Sequence, residues 1–71
     1  MKRFIYQYYG KQFWRKWPVE RLTKTQIVAR CNEVAVLKFR KPDNLESGNR
    51  VETVPRERFS QMSYIYVEEK G

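Results

Sequence analysis

The chain has 71 residues, 41% hydrophobic and 15% aromatic, which suffices for one small folded domain with a core built largely from rings. One Cys and no His exclude an internal disulfide, a zinc site of the usual ligands, and histidine-based acid–base or triad chemistry. Lys and Arg number 15 against 8 acids, and the whole net charge of +7 lies in residues 1–30, which hold one acid, Glu20.

A positive field concentrated in this way attracts polyanions: nucleic acid, an anionic membrane surface or an acidic protein. No apolar run approaches the ~20 residues of a membrane span. Met1-Lys2-Arg3 leads into polar and aromatic residues rather than an apolar signal core, so a cytoplasmic, non-membrane protein is expected.

Lys2–Tyr9 is aromatic and β-branched, and Gly10-Lys11 fits a two-residue turn with Gly first. Residues 12–17 return, with Tyr8 facing Phe13, Tyr6 facing Arg15 and Phe4 facing Trp17. That register predicts an aromatic slab on one face and Arg3, Ile5, Gln7, Trp14 and Lys16 on the other. Pro18 cannot donate to a ladder and marks a bend, bulge or edge.

Residues 19–41 carry the best-defined pattern. They read as two strands joined by a tight turn at Cys31-Asn32-Glu33. Along residues 19–30 the odd positions (Val19, Arg21, Thr23, Thr25, Ile27, Ala29) are mostly β-branched or apolar, and the even positions mostly charged. A three-residue loop pairs Ile27 with Leu37 and Thr25 with Phe39, keeping the apolar face together. A two-residue loop mixes the faces. The chosen register sets Lys24 against Arg40 and Gln26 against Lys38, so the outer face is basic. A helical alternative exists: Ile27, Cys31, Val34, Ala35 and Lys38 fall at helical spacing, and residues 24–40 fit an α+β fold with a helix-turn-helix. The β-branched content of residues 23–36 favours strand.

Residues 42–50 contain Pro, Asp, two Asn, Ser and Gly and predict an exposed loop. Residues 51–54 fit a short strand, 56–62 one helical turn, 63–67 a closing strand with Tyr64 and Tyr66 on one face, and 68–71 a polar tail. The expected fold of the single domain, residues 1–71, is mainly β: a small antiparallel sheet or SH3-like barrel of five or six short strands.

Arg21-Leu22-Thr23-Lys24-Thr25-Gln26, Phe39-Arg40-Lys41 and Gly48 form a pattern that resembles short, basic bacteriophage-encoded proteins with no assigned activity. The likeness covers the central third of the chain and departs in the longer, more polar loop at 42–50. It implies a small β-domain of phage or mobile-element origin, in the cytoplasm of a bacterial host, and no particular chemistry.

The candidate nucleic-acid-binding residues are Arg3, Trp14, Arg15, Lys16, Lys24, Arg30, Lys38, Arg40 and Lys41. The cations would neutralise phosphates, and Trp14 within Phe13-Trp14-Arg15-Lys16-Trp17 would offer a ring to an unpaired base. Burial in the core is the alternative for either Trp, and a plain solvated face for the cations. Tyr6, Tyr8, Tyr9, Tyr64 and Tyr66 fit either a stacking platform or barrel core and rim. Asp43, Glu46, Glu52 and Glu57 are interleaved with Arg50, Arg56 and Arg58, which favours surface ion pairs over a metal site. The expected function is a non-enzymatic, sequence-tolerant nucleic-acid-binding module with no cofactor or metal. The alternatives are a phage-type protein that inhibits an acidic host protein or defence complex, and a homodimeric structural accessory.

Overall fold

The computed structural model describes residues 1–30, 35–54 and 62–70. Among these there are six strands and no helix: β1 (Lys2–Tyr9), β2 (Gln12–Leu22), β3 (Gln26–Arg30), β4 (Val36–Arg40), β5 (Arg50–Thr53) and β6 (Met62–Glu69). Each strand pairs antiparallel with the next, and β6 pairs with β1, so the sheet closes into a barrel in sequence order. The expected small antiparallel barrel is therefore the fold. Closure gives each of the six strands two partners and leaves few edges to aggregate.

The turn at Gly10-Lys11 falls where the sequence places it, between the paired residues Tyr9 and Gln12. Gly10 has a φ of 61°, and nothing lies within 4 Å of where a Cβ would stand, so the backbone conformation, not space, selects glycine here. Beyond the turn the expected β1–β2 register holds only for Tyr8↔Phe13. A β-bulge shifts the ladder so that Gln7 faces Arg15, Tyr6 faces Lys16 and Ile5 faces Trp17, leaving Trp14 as the extra residue. The faces are thereby reassigned. Ile5, expected on the outer face, is fully buried in the core, and the aromatic slab of Phe4, Tyr6, Tyr8 and Phe13 lies outside.

Residues 19–30 are not one strand. β2 runs on to Leu22, and a turn at Thr23-Lys24-Thr25 leads into β3. The Thr23 side chain makes that turn, its Oγ1 accepting from the backbone N–H of Gln26 at 3.0 Å, while the Thr23 N–H donates to the Gln26 carbonyl at 2.9 Å. Such local side-chain bonds compete with ladder pairing, which is why the alternating pattern is interrupted. A second irregularity, between Val19 and Arg21, sets Arg21 opposite Val28 and Leu22 opposite Ile27. Leu22 consequently packs against the core and Arg21 is exposed.

β3 and β4 form the expected hairpin with a different register: Ile27 faces Phe39, Ala29 faces Leu37 and Gln26 faces Arg40. The shift from the expected pairing is two residues, an even number, so Ile27, Ala29 and Phe39 still share the inner face. The predicted turn residues Cys31-Asn32-Glu33 lie outside the described residues, as does nearly all of the predicted helical turn at 56–62. The helix-turn-helix alternative is overturned, because 26–30 and 36–40 are paired strands. The predicted polar tail is partly strand as well: β6 continues to Glu69.

Ile5, Ile27, Ala29, Phe39, Val51, Tyr64 and Tyr66 form the core, edged by Trp17, Val19, Leu22, Leu37, Leu45 and Met62. The Phe39 and Tyr64 rings meet at 5.0 Å with their planes tilted by 57°. Tyr66 is 1% exposed yet its hydroxyl reaches Glu68 at 2.8 Å, so an inward ring keeps a polar partner at the rim. The loop before β5 lies along β6: the Gly48 N–H donates to the Tyr66 carbonyl, the Tyr66 N–H to the Asn49 carbonyl, and the Glu68 N–H to Ser47 Oγ. Residues 47–49 thus extend the short β5 along β6, and the loop predicted over 42–50 ends one residue earlier, since Arg50 opens β5. Phe39 is the strongest test of this core. Phe39→Ala should cost about 3–5 kcal/mol in urea or guanidinium unfolding. Phe13→Ala, on the half-exposed outer face, should cost far less, and similar losses at both positions would contradict the face assignment.

Candidate nucleic-acid interface

The ladder fixes which groups share each end of the barrel. Met1, the turn at 23–25, the loop at 41–49 and the end of β6 lie at one end, joined by the bond from the Lys41 N–H to the Thr25 carbonyl at 2.9 Å. Gly10-Lys11, the end of β3, the start of β4 and the end of β5 lie at the other. β4 is three strands away from β1 in either direction, so their outer faces look away from each other.

The nine candidate residues divide accordingly. Arg3, Lys16 and Arg30 are held by carboxylates. Arg3 lies 3.9 Å from Glu68, Lys16 Nζ lies 3.3 Å from Glu69, and Arg30 lies 2.6 Å from Glu20. Lys16 also sits over the Phe4 ring at 4.4 Å, and Arg15 over the Trp17 ring at 5.6 Å. The carboxylates thus offset part of the positive charge of the first third of the sequence. β6 brings Glu68 and Glu69 beside Arg3 and Lys2.

Among the described residues Lys2, Lys11, Arg15 and Arg21 make no ion pair, and a further set of such cations gathers at one place. Lys24, Arg40 and Lys41 line one open depression of about 340 Å³ with Thr25, Gln26, Asp43 and Val54. Lys38 lies two residues before Arg40 on the same exposed face of β4. Among the described residues none of these four makes an ion pair, although Asp43 lies in the same depression. Lys24 is not opposite Arg40 as expected, since Gln26 takes that place, yet the turn still carries it to the same depression. Lys41 Nζ donates to the Thr23 carbonyl at 3.2 Å, tying the depression's rim to the turn. Arg21, absent from the sequence-based set, flanks buried Val28 on one side while Lys38 flanks it on the other. The β2 irregularity that exposes Arg21 leaves no compositional signal.

Trp14 is 54% exposed, and Phe13 beside it is 49% exposed. Both lie near the end of the barrel opposite the lysine–arginine depression. The expected single surface of cations and tryptophan is thus two surfaces. The tyrosines divide too: Tyr64 and Tyr66 are core, whereas Tyr6 and Tyr8 lie on the outer face and Tyr9 is exposed.

No helix among the described residues is long and apolar enough to cross a membrane, and no group of three His, Cys, Asp or Glu among them is placed to hold a metal ion. No family model matches the chain, and no curated protein or solved structure matches it either.

The β1–β2–β6 junction carries a polar clasp. The Tyr6 hydroxyl donates to Glu69, which also accepts from Lys16. The hydrogen bond from Tyr6, seconded by Lys16, holds the Glu69 carboxyl below its ordinary value of 4.5, and the same bond raises the Tyr6 phenol above 10.0. A depressed carboxyl contributes stability above its unfolded value and loses it as pH falls through the folded one. A raised phenol contributes below about pH 10 and loses it as pH climbs past the folded value. Glu69→Gln should accordingly lower the melting temperature at neutral pH and flatten its decline between about pH 5 and about pH 2. Thermal melts across that range check it, and an acid limb unchanged in the variant would remove the clasp from the account.

Proposed function

We propose that this barrel binds nucleic acid without chemistry, through phosphate contacts made by Lys24, Lys38, Arg40 and Lys41. The observation that carries the reading is the convergence on one open depression of three cations that make no ion pair among the described residues, with a fourth beside it on β4, while Arg3, Lys16 and Arg30 are paired with carboxylates. Arg and Lys outnumber the acids Asp43 and Glu52 there and repel one another, and an arriving phosphate relieves that repulsion. Guanidinium and ammonium groups flanked by Thr25 and Gln26 match phosphate oxygens in charge and in hydrogen-bonding capacity. The depression is open and shallow, which suits a backbone lying across it. Contacts of this kind position a ligand without reading its sequence, so binding is sequence-tolerant.

The test is a filter-binding titration at several salt concentrations. Binding should weaken linearly on a log–log plot, and Lys38→Gln or Arg40→Gln should each reduce the slope by about 0.7–0.9 if each meets one phosphate. Arg30→Gln, which removes a side chain already engaged by Glu20, should change the slope much less. Binding that ignores salt, or none at low salt, would sink the reading.

A further inference from the structure

The outer face of β1, β2 and β6 is unusual for the outside of a small barrel. Pleat alternation turns Ile5, Tyr64 and Tyr66 inward, so Phe4, Tyr6, Tyr8, Ile65 and Val67 look outward, all partly exposed. Phe13 joins them from β2, its ring edge-to-face with Tyr6 at 5.5 Å and with Tyr8 at 5.6 Å. Trp14, the bulge residue next in sequence to Phe13, is a second large exposed ring. Antiparallel sheets ordinarily present polar side chains to water on this side.

We propose that this face is a stacking platform for the unpaired bases of a single-stranded nucleic acid, centred on Phe13 with Tyr6, Tyr8 and Trp14. The inference rests on the nucleic-acid reading above and adds the class of ligand. Charge selects the occupant. The molecule carries +7, which opposes docking of a second copy and favours an anionic ligand. The chemistry of the face then narrows the anion. Half-exposed rings gain most from planar partners, and bases offer π-faces on an anionic backbone. In a duplex those faces are already stacked on their neighbours, so rings standing on a sheet reach only unpaired bases. Lys11, exposed in the adjoining turn, lies beside the rings for the strand's phosphates.

The experiment uses the full chain and three fluorescent probes of equal length, about 12 nucleotides, a size within the range that small barrels cover. They are an oligothymidylate, an abasic strand with the same phosphates, and a duplex. The oligothymidylate should bind about tenfold more tightly than the abasic strand. Phe13→Leu, which keeps apolar bulk but removes the ring, and Trp14→Ala should each erase much of that difference and leave the abasic affinity unchanged. Circular dichroism confirms that each variant is folded.

Equal affinity for thymidylate and abasic strands, with both still bound at low salt, overturns the stacking platform and leaves the phosphate-binding reading standing. Loss of affinity for all probes alike in Phe13→Leu does the same. A concentration-dependent dimer that dissociates in Phe13→Leu also overturns it, assigning the face to a second copy. If no probe binds at low salt, the nucleic-acid reading itself fails.

Discussion

The ladder between β1 and β6 is the constraint on which the rest depends. It runs without interruption from Lys2↔Glu69 to Tyr9↔Met62 and joins the two ends of the chain. Without it, Ile5 on β1 and Tyr64 and Tyr66 on β6 would line the edges of an open sheet, with water on their flanks. With it, they enclose a core shared with Ile27, Ala29, Phe39 and Val51 from the opposite wall. In a chain this short, little apolar surface is available to offset the conformational entropy lost on folding. Closing the barrel is the economical solution, because each buried ring contacts several strands at once.

The same ladder decides the electrostatics. Pairing β6 antiparallel to β1 carries Glu68 and Glu69 to Lys2, Arg3 and Lys16, although more than fifty residues of sequence separate them. These carboxylates offset part of the positive charge there, whereas Lys24, Lys38, Arg40 and Lys41 on the far wall make no ion pair among the described residues. The clasp of Tyr6, Glu69 and Lys16 belongs to the closure as well as to the charge balance, since it links three neighbouring strands.

How far the chain could be read from its residues depended on whether local pattern or a distant partner sets each feature. The strand content, the Gly10-Lys11 turn, the loop at 42–50 and the inward set Ile27, Ala29 and Phe39 were legible, because alternation and turn chemistry are local. The irregularities at Trp14 and near Glu20 were not. Each inserts a residue into β2 without altering the composition, and each reverses which side chains face inward beyond it. The first sets Trp17 opposite buried Ile5, and the second turns Leu22 inward and exposes Arg21. β2 serves two neighbours, β1 up to Pro18 and β3 from Val19, and a strand that changes partners must bend. Pro18 at the changeover marked the bend; its amplitude and the faces it sets follow only from closure. Of the site residues, Lys38, Arg40 and Lys41 were placed by local pattern. The neutralisation of Arg3 and Lys16 was invisible, because their partners come from the other end of the chain.

The two proposed surfaces constrain each other geometrically. The cationic depression belongs to β3 and β4, and the aromatic face to β6, β1 and β2, on walls that look apart across a molecule of 28 × 28 × 24 Å. Duplex DNA has a persistence length of about 150 base pairs, so over the width of this barrel it is a straight rod. A rod can lie on one wall, and at the β3–β4 wall it meets cations but no stacking rings. A single strand is flexible enough to curve from one wall to the other, passing Arg21 and Arg15 on the way, and its bases are free to meet Phe13 and Trp14. A ligand that engages both surfaces of one barrel must therefore be single-stranded. The separation of charge from aromatics, which at first divides the expected site in two, is what would distinguish a strand from a duplex.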